Sequence, residues 1–129
     1  TDPYVVHHGA LGSFATAYLP DGADAGEIGD RLAAISGIML VIDSDEAVRR
    51  FELPADRIGD IVIVSDENIT IGTSADRHDL AALKEPLRSH GGLTEQEVPF
   101  IVNRKIDLPA APTLRNFDAF HFAAIAASQ

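Results

Sequence analysis

The sequence LRSHGGLTEQEVPFIVN, which spans Leu87–Asn103, is the stretch around which the rest of the chain is organised. It places a histidine, His90, directly before Gly91 and Gly92, and it continues through a short polar run into a largely apolar segment, Val98–Asn103. Two consecutive glycines allow a tight turn or a close approach of the backbone to another group. We therefore predict that His90 is presented from a loop, where metal and substrate ligands are often found. The apolar segment is predicted to be a buried strand.

The composition limits the classes of protein to which the chain can belong. The 129 residues are 46% hydrophobic, which is enough for a domain with a real core. The 10 basic and 20 acidic residues give a net charge of −10, which argues against nucleic acid and against an anionic membrane surface as partners. A small anionic substrate remains compatible with this charge, because a bound metal ion can reverse the local potential.

Cysteine usage and the chain start bear on compartment and on domain organisation. The chain has no cysteine, which excludes disulfides and Cys-based zinc sites and suits a reducing cytoplasm. No apolar run approaches the roughly 18 residues of a membrane span, and no signal peptide is visible. The sequence begins at Thr1 without a methionine and enters an apolar segment at once. We therefore expect residues 1–129 to be either a single domain or a fragment of a longer chain.

Apolar periodicity predicts an α/β or α+β fold with a mixed sheet of about five strands and helices packed on it. Helices are predicted over residues 24–35, 44–51, 79–87 and 117–126. Strands are predicted over residues 4–6, 13–19, 38–42, 60–65, 68–72 and 98–103. Asp43 or Ser44 is expected to cap the second helix, with Glu46 placed for a capping box. The strands 60–65 and 68–72 are expected to pair as a hairpin. Phe117, Phe120 and Ala124 are expected to share one face of the last helix.

The side chains that carry chemistry give a weak signal when they are considered alone. The five histidines of the chain are His7, His8, His78, His90 and His121. None of them belongs to an HxH, HExxH or HxxxH pair. All but His90 are interpreted as ordinary surface or hydrogen-bonded histidines. No nucleophile elbow and no phosphate-binding loop is present. The acidic pairs are interpreted as helix caps, a turn and solvated faces. Residue chemistry alone therefore predicts an α/β domain with one loop histidine that is a candidate metal or substrate ligand.

The motifs nevertheless resemble those of a known family, the phosphonoacetate hydrolases of the zinc-dependent alkaline phosphatase superfamily. The resemblance covers nearly the whole chain, and the segment around His90, with its HGGLTEQEVP run, is its most specific part. The other matching stretches are Thr1–Phe14, Arg57–Ser65 and Leu114–Asp118. The chain is similar to roughly the C-terminal third of such an enzyme, so residues 1–129 are expected to be a C-terminal fragment of a larger hydrolase domain.

The resemblance implies an alkaline phosphatase-like fold and hydrolysis of the C–P bond of phosphonoacetate to acetate and phosphate. Family members use two zinc ions and a threonine nucleophile, and their substrate is a small anionic phosphonate. His90 matches the last zinc-ligating histidine of the family. The nucleophile, the two Asp/His ligand pairs and the substrate-binding lysines lie earlier in family members and are absent from this sequence.

The resemblance thus implies one metal ligand, His90, and no catalytic residue within this chain. One histidine cannot hold a catalytic zinc that normally needs three protein ligands, so the isolated chain is expected to be inactive. Its partner is then the remainder of the hydrolase chain, and a homodimer is left open. Two alternatives remain at this point. One is a stand-alone binding or structural module without catalysis. The other is a relative that acts on a phosphate ester or on another phosphonate.

Overall fold

The structure is a computed structural model that describes residues 10–72, 74, 90–106 and 114–128. The chain divides into two compact units, Thr1–Glu97 and Val98–Gln129. The described elements of the first unit are β1 (Ala10–Gly12), β2 (Phe14–Ala17), α1 (Ala25–Ala33), β3 (Ile38–Asp43), α2 (Ser44–Phe51), β4 (Ile61–Ser65), β5 (Ile71–Gly72) and a 3₁₀ turn (Leu93–Glu95). The second unit contains α3 (Asp118–Ser128).

The strand β4 forms the centre of the first unit. It pairs antiparallel with β2 on one side and with β3 on the other. Its sequence IVIVS is apolar without alternation, as is typical of a strand that is covered on both faces, and four of its five residues are buried. Val62 and Val64 form the fully buried core with Ala47 of α2. The continuous apolar run of residues 38–42 predicts a buried strand, but β3 is only half-buried, because it lies at an edge of this described sheet.

The two helices of the first unit are capped by Asp24 and Asp43. The sequence predicts that the first begins at Ala23 or Asp24 and that the second is capped by Asp43 or Ser44. The carboxylate of Asp24 accepts a hydrogen bond from the N–H of Glu27 at 3.0 Å, and that of Asp43 accepts one from the N–H of Glu46 at 2.7 Å. Each carboxylate satisfies a helix N–H that has no partner within the helix. The side chain of Glu46 does not complete the predicted capping box, since its carboxylate accepts a hydrogen bond from Arg49 at 2.8 Å.

The predicted hairpin between residues 60–65 and 68–72 is wrong. Both edges of β4 are occupied by β2 and β3, so the chain that leaves β4 has no place beside it. It turns at Asn68, whose φ is +65°, and β5 then pairs antiparallel with β1. The α/β class is confirmed, but the five described strands form two antiparallel sheets instead of one mixed sheet.

The second unit is organised around Phe122. This residue is 4% exposed, and its ring lies 5.9 Å from the ring of Phe100. The helix α3 begins at Asp118, one residue later than predicted. The prediction that Phe120 lies on the apolar face of this helix is wrong, because Phe120 is 81% exposed. The helix sequence is apolar on most sides, so its periodicity does not select a buried face.

The segment Val98–Asn103 is not the buried strand that the sequence suggested. Val98 is 71% exposed and Ile101 is 86% exposed, and the segment has no regular secondary structure. A strand needs backbone partners on a neighbouring strand, and no described strand pairs with it. The predicted strand 4–6 and helix 79–87 lie outside the described residues. Among the described helices, none is long and apolar enough to cross a membrane.

Candidate functional site

His90 lies in an irregular loop that leads into the 3₁₀ turn, as predicted, and it is exposed. Its backbone is fixed by a residue that lies far from it in the sequence. The carbonyl oxygen of His90 accepts a hydrogen bond from the N–H of Ser13 at 2.9 Å. The loop is thereby joined to the junction between β1 and β2, so His90 is presented from a backbone that is fixed by a long-range hydrogen bond.

Two glycines allow the loop to lie this close to the junction. Gly12 has a φ of +84°, and a Cβ built on it would lie 2.6 Å from the carbonyl oxygen of His90. The same Cβ would lie 3.1 Å from both Cε1 and Nδ1 of the imidazole. Gly91 has a φ of +85°, and its Cβ would lie 3.2 Å from that of Phe14. A side chain at either position would therefore be strained by its φ and crowded by its neighbour.

The junction beneath His90 is itself tied to the sheet. Ser13 is 2% exposed, and its hydroxyl donates to the carbonyl oxygen of Ile69 at 3.2 Å. The hydroxyl of Ser65 donates to the same carbonyl at 2.7 Å, and the N–H of Ser65 donates to the carbonyl of Ser13 at 2.9 Å. Leu93, from the turn after His90, packs on the buried core. The loop is thus held to β4 through backbone, hydroxyl and apolar contacts together.

His90 is a suitable single donor for a metal ion, but the described residues do not complete a metal site around it. Among them, no group of three or more His, Asp or Glu side chains is placed to hold a metal ion. A catalytic zinc normally takes three protein ligands, and an exposed imidazole on a fixed backbone is a suitable single donor. His121 is exposed on α3, where its ring lies 5.6 Å from that of Phe122. The other three histidines lie outside the described residues.

The acidic pairs of the first unit have the structural roles that the sequence suggested. Asp43 caps α2, and the carbonyl of Asp66 accepts a hydrogen bond from the N–H of Ile69 in the turn after β4. On the exposed side of α2, the hydrogen bond that Arg49 donates to the carboxylate of Glu46 raises the pKa of Arg49, and the nearby acidic side chains add to this effect. These contacts account for the local structure of the first unit.

Sequence reasoning missed Gly12 and Ser13 as neighbours of His90. The two glycines of the segment His8–Gly12 predict a turn or bulge, and the described part of that segment is β1, whose register with β5 is irregular. Nothing in the sequence spacing, however, indicates that this turn meets the histidine loop. A signal was present in the pair of positions rich in small residues, Gly12-Ser13 and Gly91-Gly92, because close backbone contacts require such residues.

Comparison with known proteins extends this description. No protein-family model matches the chain. Crystal structures of phosphonoacetate hydrolase from Sinorhizobium meliloti 1021, in complex with phosphonoformate and with phosphonoacetate, are each 73% identical to it, with a TM-score of 0.74. Both matches cover 100% of this chain and 31% of the solved chain. A phosphonoacetate hydrolase from Penicillium oxalicum is 58% identical over 31 residues, which are 23% of this chain and 43% of that protein.

The chain therefore spans less than a third of the length of the solved relatives, but the similarity extends over all of its own residues. A sequence identity of this size along the whole chain, together with the shared fold, is much stronger evidence of a relationship than a likeness of fold alone. From its first residue to its last, the chain resembles phosphonoacetate hydrolase.

Proposed function

We propose that this chain is the C-terminal part of a zinc-dependent phosphonoacetate hydrolase, and that His90 supplies one ligand to its metal site. The observation that carries the proposal is the 73% identity over the entire chain to a hydrolase whose structures hold phosphonoacetate and phosphonoformate. The fixed backbone and exposed imidazole of His90 support the assignment of the ligand. The reaction transfers an oxygen from water to phosphorus and a proton to the released carbon, which gives phosphate and acetate.

The charge of the chain supports a metal-assisted reaction. A net charge of −10 repels a phosphonate that also carries a carboxylate. Zinc, when bound, supplies the positive charge that neutralises the phosphonate oxygens and activates the nucleophile. The contribution of this chain is to hold an imidazole nitrogen at a fixed place. The remaining ligands and the nucleophile come from residues outside this sequence.

Exposed apolar surface favours the larger hydrolase over a stand-alone module. In the second unit, Val98, Ile101 and Phe120 are each more than two-thirds exposed. The same unit contains a cavity of ≈ 540 Å³ that is lined by apolar side chains, among them Phe100 and Phe122, together with Asn103 and Arg104. Large apolar surface of this kind is typical of a face that packs against another part of a protein. We also place the hydrolase in the cytoplasm, which the absence of cysteine in this chain supports.

The role of His90 is tested in the complete hydrolase that contains this sequence. His90→Ala is compared with His121→Ala, a control that removes the other histidine that is exposed among the described residues. Zinc content is measured by inductively coupled plasma mass spectrometry, and phosphate release from phosphonoacetate is measured in the same samples. We expect His90→Ala to lose about one zinc per chain and at least 100-fold in activity, since a catalytic zinc rarely binds with one of three ligands missing.

The control variant should keep both its zinc and its activity. If His90→Ala also retained full zinc content and turnover, the assignment of the ligand would be wrong. If the complete protein released phosphate from phosphate esters and not from phosphonoacetate, the proposed substrate would be wrong and the ligand assignment would stand.

A further inference from the structure

We propose that Gly12 is a positioning residue that orients the imidazole of His90, so that its Nε2 atom is the one that binds the metal. This inference rests on the proposed function, because it concerns the way in which the ligand is held. It assigns a role to a residue that lies far from His90 in the sequence and that carries no side chain.

The first part of the argument is steric. The hydrogen atom of Gly12 that a Cβ would replace points at His90, because that Cβ would lie 2.6 Å from its carbonyl oxygen and 3.1 Å from Nδ1 and Cε1. Contacts of this length leave no space for a methyl group. The imidazole and the carbonyl of one residue therefore both pack against the same glycine.

The second part is the hydrogen bond from the N–H of Ser13 to the carbonyl oxygen of His90 at 2.9 Å. It fixes the distance between the His90 loop and the β1–β2 junction, while Gly12 limits the rotation of the imidazole ring. A side chain that is held by both its backbone and its ring loses little conformational freedom when it binds a ligand.

The third part concerns the two ring nitrogens. Nδ1 is among the three atoms nearest to the Cβ position of Gly12, whereas Nε2 lies farther from it. A metal on Nδ1 would have to share the space beside the glycine backbone. The exposed side of the ring therefore presents Nε2, and groups that orient a ligating histidine in this way commonly affect metal affinity 10- to 100-fold.

The test uses the complete hydrolase and a pair of glycines. Gly22 has a φ of +80°, close to the +84° of Gly12, but a Cβ on it would have no atom within 4 Å. Gly22→Ala and Gly12→Ala therefore carry the same backbone strain, and only the second crowds His90. The dissociation constant of zinc is measured by competition with a chromogenic chelator, and the melting temperature is measured on metal-free protein.

We expect both metal-free variants to melt at a lower temperature, with the larger decrease for Gly12→Ala, which adds a steric clash to the backbone strain. Zinc binding should weaken about 10- to 100-fold in Gly12→Ala and remain unchanged in Gly22→Ala. In a His90→Ala background, Gly12→Ala should not weaken zinc binding further. Equal zinc affinities for the two glycine variants would overturn the inference, while the loss of zinc in His90→Ala would still uphold the proposed function.

A second measurement does not depend on the folding of a variant. In zinc-loaded protein with ¹⁵N-labelled histidine, the ¹⁵N chemical shifts of the His90 ring, assigned by their absence from His90→Ala, identify the nitrogen that binds the metal. Ligation through Nε2 supports the proposed orientation. Ligation through Nδ1 would refute it, even if Gly12→Ala failed to fold.

Discussion

The replacement of glycine by alanine should change the free energy of unfolding in opposite directions at Gly59 and Gly29. Gly59 is buried beside β2, and its N–H donates to the hydroxyl oxygen of Thr16 at 2.6 Å. A Cβ on Gly59 would overlap that hydroxyl oxygen and the carbonyl oxygen of Ala17. Overpacking of this kind costs about 1–3 kcal/mol, and the loss of the hydrogen bond adds about 1 kcal/mol. We therefore expect Gly59→Ala to lower the free energy of unfolding by about 2–4 kcal/mol.

Gly29 lies in the middle of α1, where the same change has a different result. A Cβ on Gly29 would lie 3.8 Å from Cγ1 of Val41 on β3, which is an ordinary van der Waals contact. Glycine within a helix is less favourable than alanine by about 1 kcal/mol, because it loses more backbone entropy on folding. Gly29→Ala should therefore raise the free energy of unfolding by about 1 kcal/mol.

Urea unfolding followed by far-ultraviolet circular dichroism measures both changes, provided that the dependence on urea concentration stays the same. Both substitutions reduce the entropy of the unfolded chain to the same degree, so their difference reports on the folded state. If Gly59→Ala were neutral or stabilising, the packing described around β2 would be incorrect. If Gly29→Ala were destabilising, the space described beside Val41 would be incorrect.

The remaining predictions concern hydrogen bonds that hold the first unit together. Ser13→Ala and Ser65→Ala should each cost about 1 kcal/mol, because the carbonyl of Ile69 keeps one of its two hydroxyl donors. The double variant should cost more than the sum, and a double-mutant cycle by urea unfolding would contradict this reasoning if the two effects were additive. Asp43→Ala should lower the free energy of unfolding by about 1 kcal/mol, because the N–H of Glu46 loses its capping hydrogen bond. Asp43→Asn should retain most of this stability, because asparagine also caps helices well. Thermal unfolding of the two variants measures this difference, and equal melting temperatures would exclude a capping role.

Local sequence signals predicted the elements whose causes are local. The predicted start of α2 was correct, because the carboxylate of a capping residue accepts a hydrogen bond from the N–H three residues later, whatever lies around it. The strand β4 was correct because an apolar run of that length between polar turns favours a buried strand. In the same way, Gly91 and Gly92 predicted that His90 lies in a loop.

The errors occurred where the answer depends on a partner distant in the sequence. The turn after β4 is compatible with a hairpin, but β4 already has two neighbours, and β5 pairs with β1. The last helix is apolar on most sides, so only its contact with Phe100 shows that Phe122 is the buried residue. The segment Val98–Asn103 has the composition of a strand, but composition provides no neighbour for its backbone groups.

The sequence by itself determined the α/β class, the caps of the first two helices, the loop at His90 and the resemblance to phosphonoacetate hydrolases. Those features depend on residues that are adjacent or a few positions apart. Only the tertiary structure showed that the carbonyl oxygen of His90 accepts a hydrogen bond from the N–H of Ser13 and that the His90 ring lies against Gly12. That contact joins segments from opposite ends of the first unit. A glycine has no side chain whose chemistry could reveal such a contact in the sequence, because its role is to leave space.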